Sequence, residues 1–167
     1  MELIVVHTKN ISTPLGPMVA TADDQGLVSL RFGTTSLSQT NPILEQLEAE
    51  LQAYFAGSLQ TFKTPLKFNG TPFQNQVWEK LQQIPFGQTC SYQDIAQAIG
   101  KPTAFRAVAL ANRANPFAII VPCHRVIKAN GDLCGYNGGI EIKKWLLDHD
   151  QNYRSQERIT PTPTVNA

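Results

Sequence analysis

Residues 85–116, PFGQTCSYQDIAQAIGKPTAFRAVALANRANP, decide how the second half of this chain folds. Pro85 and Gly87 close whatever precedes them. Ser91, with Asp94 three residues later, has the form of a capping box, so the spacing predicts a helix from Ser91 to Ile99. Gly100 and Pro102 end it, and a further helix is predicted from Thr103 to about Ala114, stopped by Asn115-Pro116. Two helices joined by a tight glycine-containing turn make a helix-turn-helix candidate, although an ordinary helical hairpin carries the same signature. Charge separates the two readings. No Asp or Glu occurs from Lys101 to Lys128, whereas Lys101, Arg106, Arg113, Arg125 and Lys128 all fall there. A local field of one sign, hidden inside a formal net charge of +1, is what a phosphate-binding face requires; a solvated basic surface is the plain alternative.

Upstream, Pro72 to Ile84 carries Phe73, Val77, Trp78, Leu81 and Ile84 at helical spacing. Nearer the start, Leu3–Thr8, Met18–Ala22 and Leu27–Phe32 are short β-type runs. They are separated by Pro14, Gly16 and Pro17 and then by Asp23-Asp24-Gln25-Gly26. Ile43 to Phe55 returns to helical spacing, with Asn41 as N-cap, Pro42 at the first helical position and Gly57 as terminator. Downstream, Ala118 to Val121 reads as a buried strand ending at Pro122. A Gly-rich stretch follows from Gly131 to Gly139, then a last helix from Ile142 to Asp148. The expected organisation is an α/β N-terminal domain over 1–70 and a mostly α C-terminal domain over 71–150 containing the helix-turn-helix. Residues 151–167, low in apolar content, are expected to form a flexible tail.

The chain has 167 residues, 42% of them apolar, enough for a real core. Cysteines at 90, 123 and 134 are too few and too scattered for a disulfide scaffold, and no Cys-x-x-Cys pair occurs. His7, His124 and His149 lie far apart, so no structural metal site is expected. Met1 to His7 lacks the basic start and cleavage site of a leader, and no apolar run reaches membrane-spanning length. The default compartment is a reducing cytoplasm, with no membrane contact.

The chemistry centres on Cys123. It follows Ile119-Ile120-Val121-Pro122, where a buried segment emerges, and precedes His124 and Arg125. For a cysteine chosen at random, a small buried hydrophobe is the commoner role. Here a base and a cation adjoin the thiol and a proline fixes the backbone before it. A free thiol with a pKa near ~8.5 is only a few per cent thiolate at neutral pH. A neighbouring base or cation lowering that pKa by about two units, or about 2.7 kcal/mol, would make thiolate the main species. Cys90 and Cys134 have no basic neighbour and are read as structural.

Taken together, IIVPCHRVI (119–127), GYNGG (135–139) and KKWLLDHD (143–150) resemble the active-site segment of the O6-alkylguanine-DNA alkyltransferases. GTPFQNQVWEKLQQIPFGQTCSYQDIAQAIGKP (70–102) and RAVALANRANP (106–116) resemble the helices of that family, and STPLGPMVATADDQGLVSLRF (12–32) its N-terminal domain. The blocks span about residues 10–150 in order. The resemblance implies a ribonuclease H-like N-terminal domain and a direct-reversal reaction. One displacement moves a methyl or small alkyl group from O6-alkylguanine, and to a lesser extent O4-alkylthymine, onto a cysteine that is never regenerated. It implies no cofactor, since the DNA is the alkyl donor, and a monomer acting on double-stranded DNA with alkylated bases.

Carried over by the same resemblance, Cys123 is the acceptor, His124 the base acting through a water, and Asp150 the acid that orients the histidine. Glu is usual at that last position, and Asp is one methylene shorter. Tyr92 matches the residue that protonates the departing guanine, and Asn115 the amide tying the recognition helix to the active-site turn. Tyr136, Asn137 and Gly138 match the wall of the base pocket. Arg106 matches the finger that fills the gap left by a flipped nucleotide, on a face shared with Ala109, Leu110 and Arg113. Arg125 is expected on the same DNA-facing side. Ala109, where Gly is frequent, and bulky Phe105 depart from the family pattern. Two other classes compete. Lesion sensors of the alkyltransferase-like type carry Trp where this chain has Cys123. A transcription regulator would need a dimerisation segment that is not evident here.

Overall fold

The structure, a computed structural model, describes residues 5–133, 135–136 and 138–157. Asn137, expected in the pocket wall, and Cys134 lie outside the described residues. The N-terminal part is a three-stranded antiparallel sheet in the order β1 (His7–Thr13), β2 (Gly16–Ala22), β3 (Leu27–Phe32), covered by α1 (Pro42–Phe55). The first strand is displaced from the expected Leu3–Thr8. The hairpin fixes its register by pairing Thr13 with Gly16 (φ 109°), which sets Ile11 opposite Met18, both in the core. Val5 and Val6, just before β1, are left exposed. Helix α1 starts as predicted: the Asn41 side chain accepts from Leu44 N at 2.9 Å, and Leu44, Leu47, Leu51 and Tyr54 form its buried stripe.

The C-terminal part is built from α2 (Pro72–Gln82), a two-residue strand β4 (Cys90–Ser91), α3 (Tyr92–Ala98) and α4 (Phe105–Arg113). A 3₁₀ turn at Cys123–Arg125, strand β5 (Val126–Ile127) and α5 (Ile140–Glu157) complete it. The capping box at Ser91 and Asp94 is present, and Thr71 and Gln74 form a second one on α2 that the sequence reading did not use. Trp78 on α2 donates its indole N–H to the carbonyl of Ala111 at 2.8 Å, which fixes α4 against the core. Parallel pairing of β4 with β5 sets Cys90 beside Val126 and Ser91 beside Ile127. The start of α3, and with it Tyr92, is thereby held next to the chain leaving the cysteine turn.

Ala118–Val121, buried as expected from Ile119 on, is not a strand. Ile119 adopts φ 72°, a left-handed conformation that a β-branched residue takes only under tertiary constraint. The constraint comes from β3, where Leu30 N donates to Pro116 O at 2.8 Å and Leu30 O accepts from Ala118 N at 3.1 Å. Ile120 N and Val121 N then close tight turns onto Ala118 O and Phe117 O. The N-terminal sheet thus braces the loop that leads into the cysteine.

The last helix also departs from expectation. It continues to Glu157, so the first residues of the expected tail are helical, while 158–167 lie outside the described residues. Arg154 packs its stem on Gly87, and the Gln151 amide donates to the Gly87 carbonyl. Tyr153 lies over Gly57, where a Cβ would fall 1.9 Å from its ring. Because Gly57 also has φ 87°, Gly57→Ala combines a left-handed strain of about 1–2 kcal/mol with displacement of Tyr153. It is expected to lower the unfolding free energy by about 2 kcal/mol in urea titrations. An unchanged midpoint would mean that α5 does not pack there.

Candidate active site

Asp150, on the buried face of α5 with Lys143 and Leu146, is the hub of the site and is 1% exposed. Its Oδ2 accepts from Nε2 of His124 at 3.0 Å and from Nε of Arg125 at 2.8 Å, and its Oδ1 accepts from the Tyr54 hydroxyl at 2.7 Å. Burial alone would raise the Asp150 pKa. The hydrogen bond and charge of His124, the Arg125 charge and the Tyr54 hydroxyl outweigh it and hold the carboxyl at about 2.

His124 is fully buried, and burial lowers its pKa in spite of the Asp150 carboxylate. It is therefore neutral at physiological pH. Since an ionised carboxylate can only accept, the proton sits on Nε2, and Nδ1 carries the lone pair. That Nδ1 is buried with no hydrogen-bond partner among the described residues.

Cys123 opens the 3₁₀ turn and is 7% exposed. Burial pushes its thiol pKa up, opposed by a hydrogen bond from Asn115 and by the positive charge of Lys143. The balance runs against the sequence expectation of a resting thiolate. The thiol stays protonated because desolvation outweighs the cation. Asn115 explains how the turn keeps its shape: its Nδ2 donates to Val121 O at 2.8 Å and Phe117 O at 3.3 Å, and its Oδ1 accepts from Phe117 N at 2.9 Å. Asn112, one turn earlier on α4, donates to the Cys123 carbonyl at 3.4 Å.

A second group gathers around α4. Tyr92, Arg106, Ala109 and Arg113, together with Lys128–Asn130 and Gly135, line an open cavity of about 450 Å³. Arg106, Arg113 and Leu110 are exposed, and Leu110 flanks the cavity without lining it. Next to Gly135, Tyr136 buries its hydroxyl without a partner among the described residues. Burial, followed by electrostatic interaction with Cys123, holds that phenol well above its usual range. Gly138 sits against Phe32 of β3, where a Cβ would fall 2.9 Å from the Phe32 ring. The chain at Gly138 and the N-terminal sheet are therefore in contact.

Arg125 is the expectation that fails. It is 6% exposed, bonded to Asp150 and to Ile84 O at 3.1 Å, and lies over the Phe86 ring at 5.4 Å. A guanidinium committed to a buried carboxylate cannot face a phosphate. Sequence reasoning missed Tyr54 and Lys143. Tyr54 had the apolar spacing of α1, yet a buried tyrosine needs a partner for its hydroxyl. Lys143 is fully buried, donates to Val126 O at 2.7 Å, and lies three and seven residues before Leu146 and Asp150, on one helix face.

The sequence profile of the 6-O-methylguanine DNA methyltransferase ribonuclease-like domain matches residues 6–68, and that of the DNA-binding domain of the same proteins matches residues 72–152. The chain belongs to the 6-O-methylguanine DNA methyltransferase family. It is 42% identical over 150 residues to the methylated-DNA–protein-cysteine methyltransferase of Methanosarcina barkeri, covering 85% of this chain and 95% of that one. The protein of the same name from Mycobacterium tuberculosis is 44% identical over 155 residues, covering 89% and 94%. The crystal structure of the M. tuberculosis O6-methylguanine methyltransferase superposes with a TM-score of 0.81 at 43% identity, over 89% of this chain and 94% of that one. A second structure of the M. tuberculosis protein, in complex with DNA, superposes equally well, with a TM-score of 0.81 at 44% identity, covering 88% and 94%. Among the described residues of this family member, no helix is long and apolar enough to cross a membrane, and no cluster of His, Cys, Asp or Glu could hold a metal ion.

The buried role of Arg125 has a direct consequence. Arg125→Met leaves the Asp150 carboxylate short of its cationic partner and is expected to lower the unfolding free energy by about 3 kcal/mol at neutral pH. Because the folded carboxyl is held at about 2, its contribution to stability is fully present above the unfolded range near pH ~4 and lost as pH falls through the folded value. Weaker DNA affinity with unaltered stability would return Arg125 to the surface.

Proposed function

We propose that this chain performs direct-reversal DNA repair, moving a methyl or small alkyl group from O6-alkylguanine, and less readily from O4-alkylthymine, irreversibly to Sγ of Cys123. Family membership gives the reaction. The observation that carries its assignment to these residues is the neutral His124, with Nε2–H committed to Asp150 and Nδ1 buried and unpaired, on the residue next in the chain to a protonated thiol. The Cys123 proton passes to His124 Nδ1 through a water. Sulfur attacks the alkyl carbon, the carbon–O6 bond breaks, and the leaving guanine takes a proton from the Tyr92 hydroxyl. The thioether is stable, so each molecule acts once.

A base within the duplex cannot present its alkyl carbon to a buried thiol, so the nucleotide must leave the stack. The cavity between α4 and Lys128–Asn130, with Gly135 on its lining, supports a route for it, and Tyr136 and Gly138, which follow Gly135 in the chain, would wall the base beyond it. Arg106 would fill the vacated gap, and Ala109 would allow close approach of α4. Exposed Leu110 and Arg113 extend the same face, which implies contacts to backbone and shape, little sequence preference and marked weakening by salt. We propose the same division of labour along the chain as the sequence suggests, 1–70 as brace and 71–150 as DNA-binding and acceptor domain, acting as a cytoplasmic monomer without cofactor.

Mass spectrometry after mixing with a duplex carrying O6-methylguanine is expected to find one methyl group on the Cys123 peptide, stoichiometric and absent from Cys123→Ser. Lesion binding without methyl gain would leave a damage sensor instead. Arg106→Ala is expected to slow repair in duplex about tenfold, a loss of about 1.4 kcal/mol, with little effect on a single-stranded lesion. Equal rates on duplex for variant and wild type would remove the finger role.

A further inference from the structure

The Asp150 carboxylate is held from the other half of the molecule as well as from its own. Tyr54 lies on α1, 96 residues away in sequence, is fully buried, and donates to Oδ1 at 2.7 Å. The adjacent residue of α5, His149, donates from Nε2 to the Tyr54 carbonyl at 2.8 Å. Consecutive residues of α5 therefore grip Tyr54 at its backbone and at its hydroxyl. The ring cannot swing aside, being packed by Phe55, Phe62, Phe86 and His149 at centroid distances of 5.3, 5.5, 6.3 and 4.7 Å.

The geometry points to Tyr54 as a positioning residue for alkyl transfer: from the N-terminal domain it fixes the rotation of the Asp150 carboxylate, and through it the His124 ring that serves Cys123. A carboxylate carried on one methylene turns about a single bond to its neighbouring carbon. Oδ2 is already shared between His124 and Arg125, and a third donor on Oδ1 sets that rotation. This inference rests on the reading of Cys123 as acceptor and gives α1 a part in the chemistry beyond packing.

Tyr54→Phe removes one oxygen from a closely packed ring and tests the idea in the full-length protein. Transfer of methyl from a duplex O6-methylguanine is expected to slow at least tenfold, with lesion affinity within twofold of wild type. The pH dependence of Cys123 alkylation by iodoacetamide should shift toward higher pH, because a loosened His124 is a poorer base. In an Asp150→Asn background the same change should add nothing further. Transfer within twofold of wild type, or an unmoved pH profile despite slower transfer, would overturn the positioning role and leave Tyr54 structural. Should Tyr54→Phe fail to fold, tyrosine-labelled wild type offers a second measurement. The Tyr54 hydroxyl proton should appear as a downfield, slowly exchanging resonance that disappears in Asp150→Asn, and its absence from wild type would overturn the inference. If the wild type took no methyl at all, the acceptor reading would fail, while the iodoacetamide profile would still report on Tyr54.

Discussion

One buried carboxylate organises this molecule. Asp150 is ionised in a place where an unpaired charge would be strongly unfavourable, so three donors must converge on it, one from α1 and two from the cysteine turn. Tyr54 brings in α1 and the sheet beneath it, His124 and Arg125 bring in the cysteine turn, and Arg125 also ties that turn, through Ile84, to the segment that follows α2. All three donors reach the carboxylate although its side chain is only one methylene long.

The same burial sets the reactivity. A thiol and an imidazole taken out of water are each held neutral, the thiol by a raised pKa and the imidazole by a lowered one. A neutral thiol is a poor nucleophile toward stray electrophiles. This suits a protein whose cysteine can be used only once. Activation then requires a proton acceptor already in place, and in the reaction we propose the unpaired Nδ1 of His124 would meet that need. Lys143, buried nearby, favours the thiolate as it forms.

Much of the framework was legible in the sequence. Asn41, Ser91 and Asp94 announce helix starts through short-range hydrogen bonds, which depend only on neighbours in the chain. The α4 face of Arg106, Ala109 and Arg113 follows from helical spacing, whereas the cavity those residues share with Lys128–Asn130 and Gly135 was not read from the sequence. Long-range constraints were not legible. Nothing local announces that Ala118–Val121 is bent by Leu30 or that Arg125 turns inward to Asp150. The packing of Tyr153 and Arg154 against two glycines is equally silent in the sequence. In each case a residue typical of strand, surface or tail is recruited by a partner tens of positions away. Lys143 and Tyr54 were hidden for the same reason: a lysine on a charged helix and a tyrosine on an apolar stripe look ordinary until their partners are seen.

The most direct test is the protonation state of His124 in the unmethylated protein, read from the ¹⁵N shifts of its two ring nitrogens across neutral pH. The account predicts a neutral ring throughout, with the proton on Nε2 and an unprotonated Nδ1, and loss of that fixed tautomer in Asp150→Asn. An imidazolium at neutral pH, or a proton resident on Nδ1, would contradict it, because His124 could then not accept the proton of Cys123.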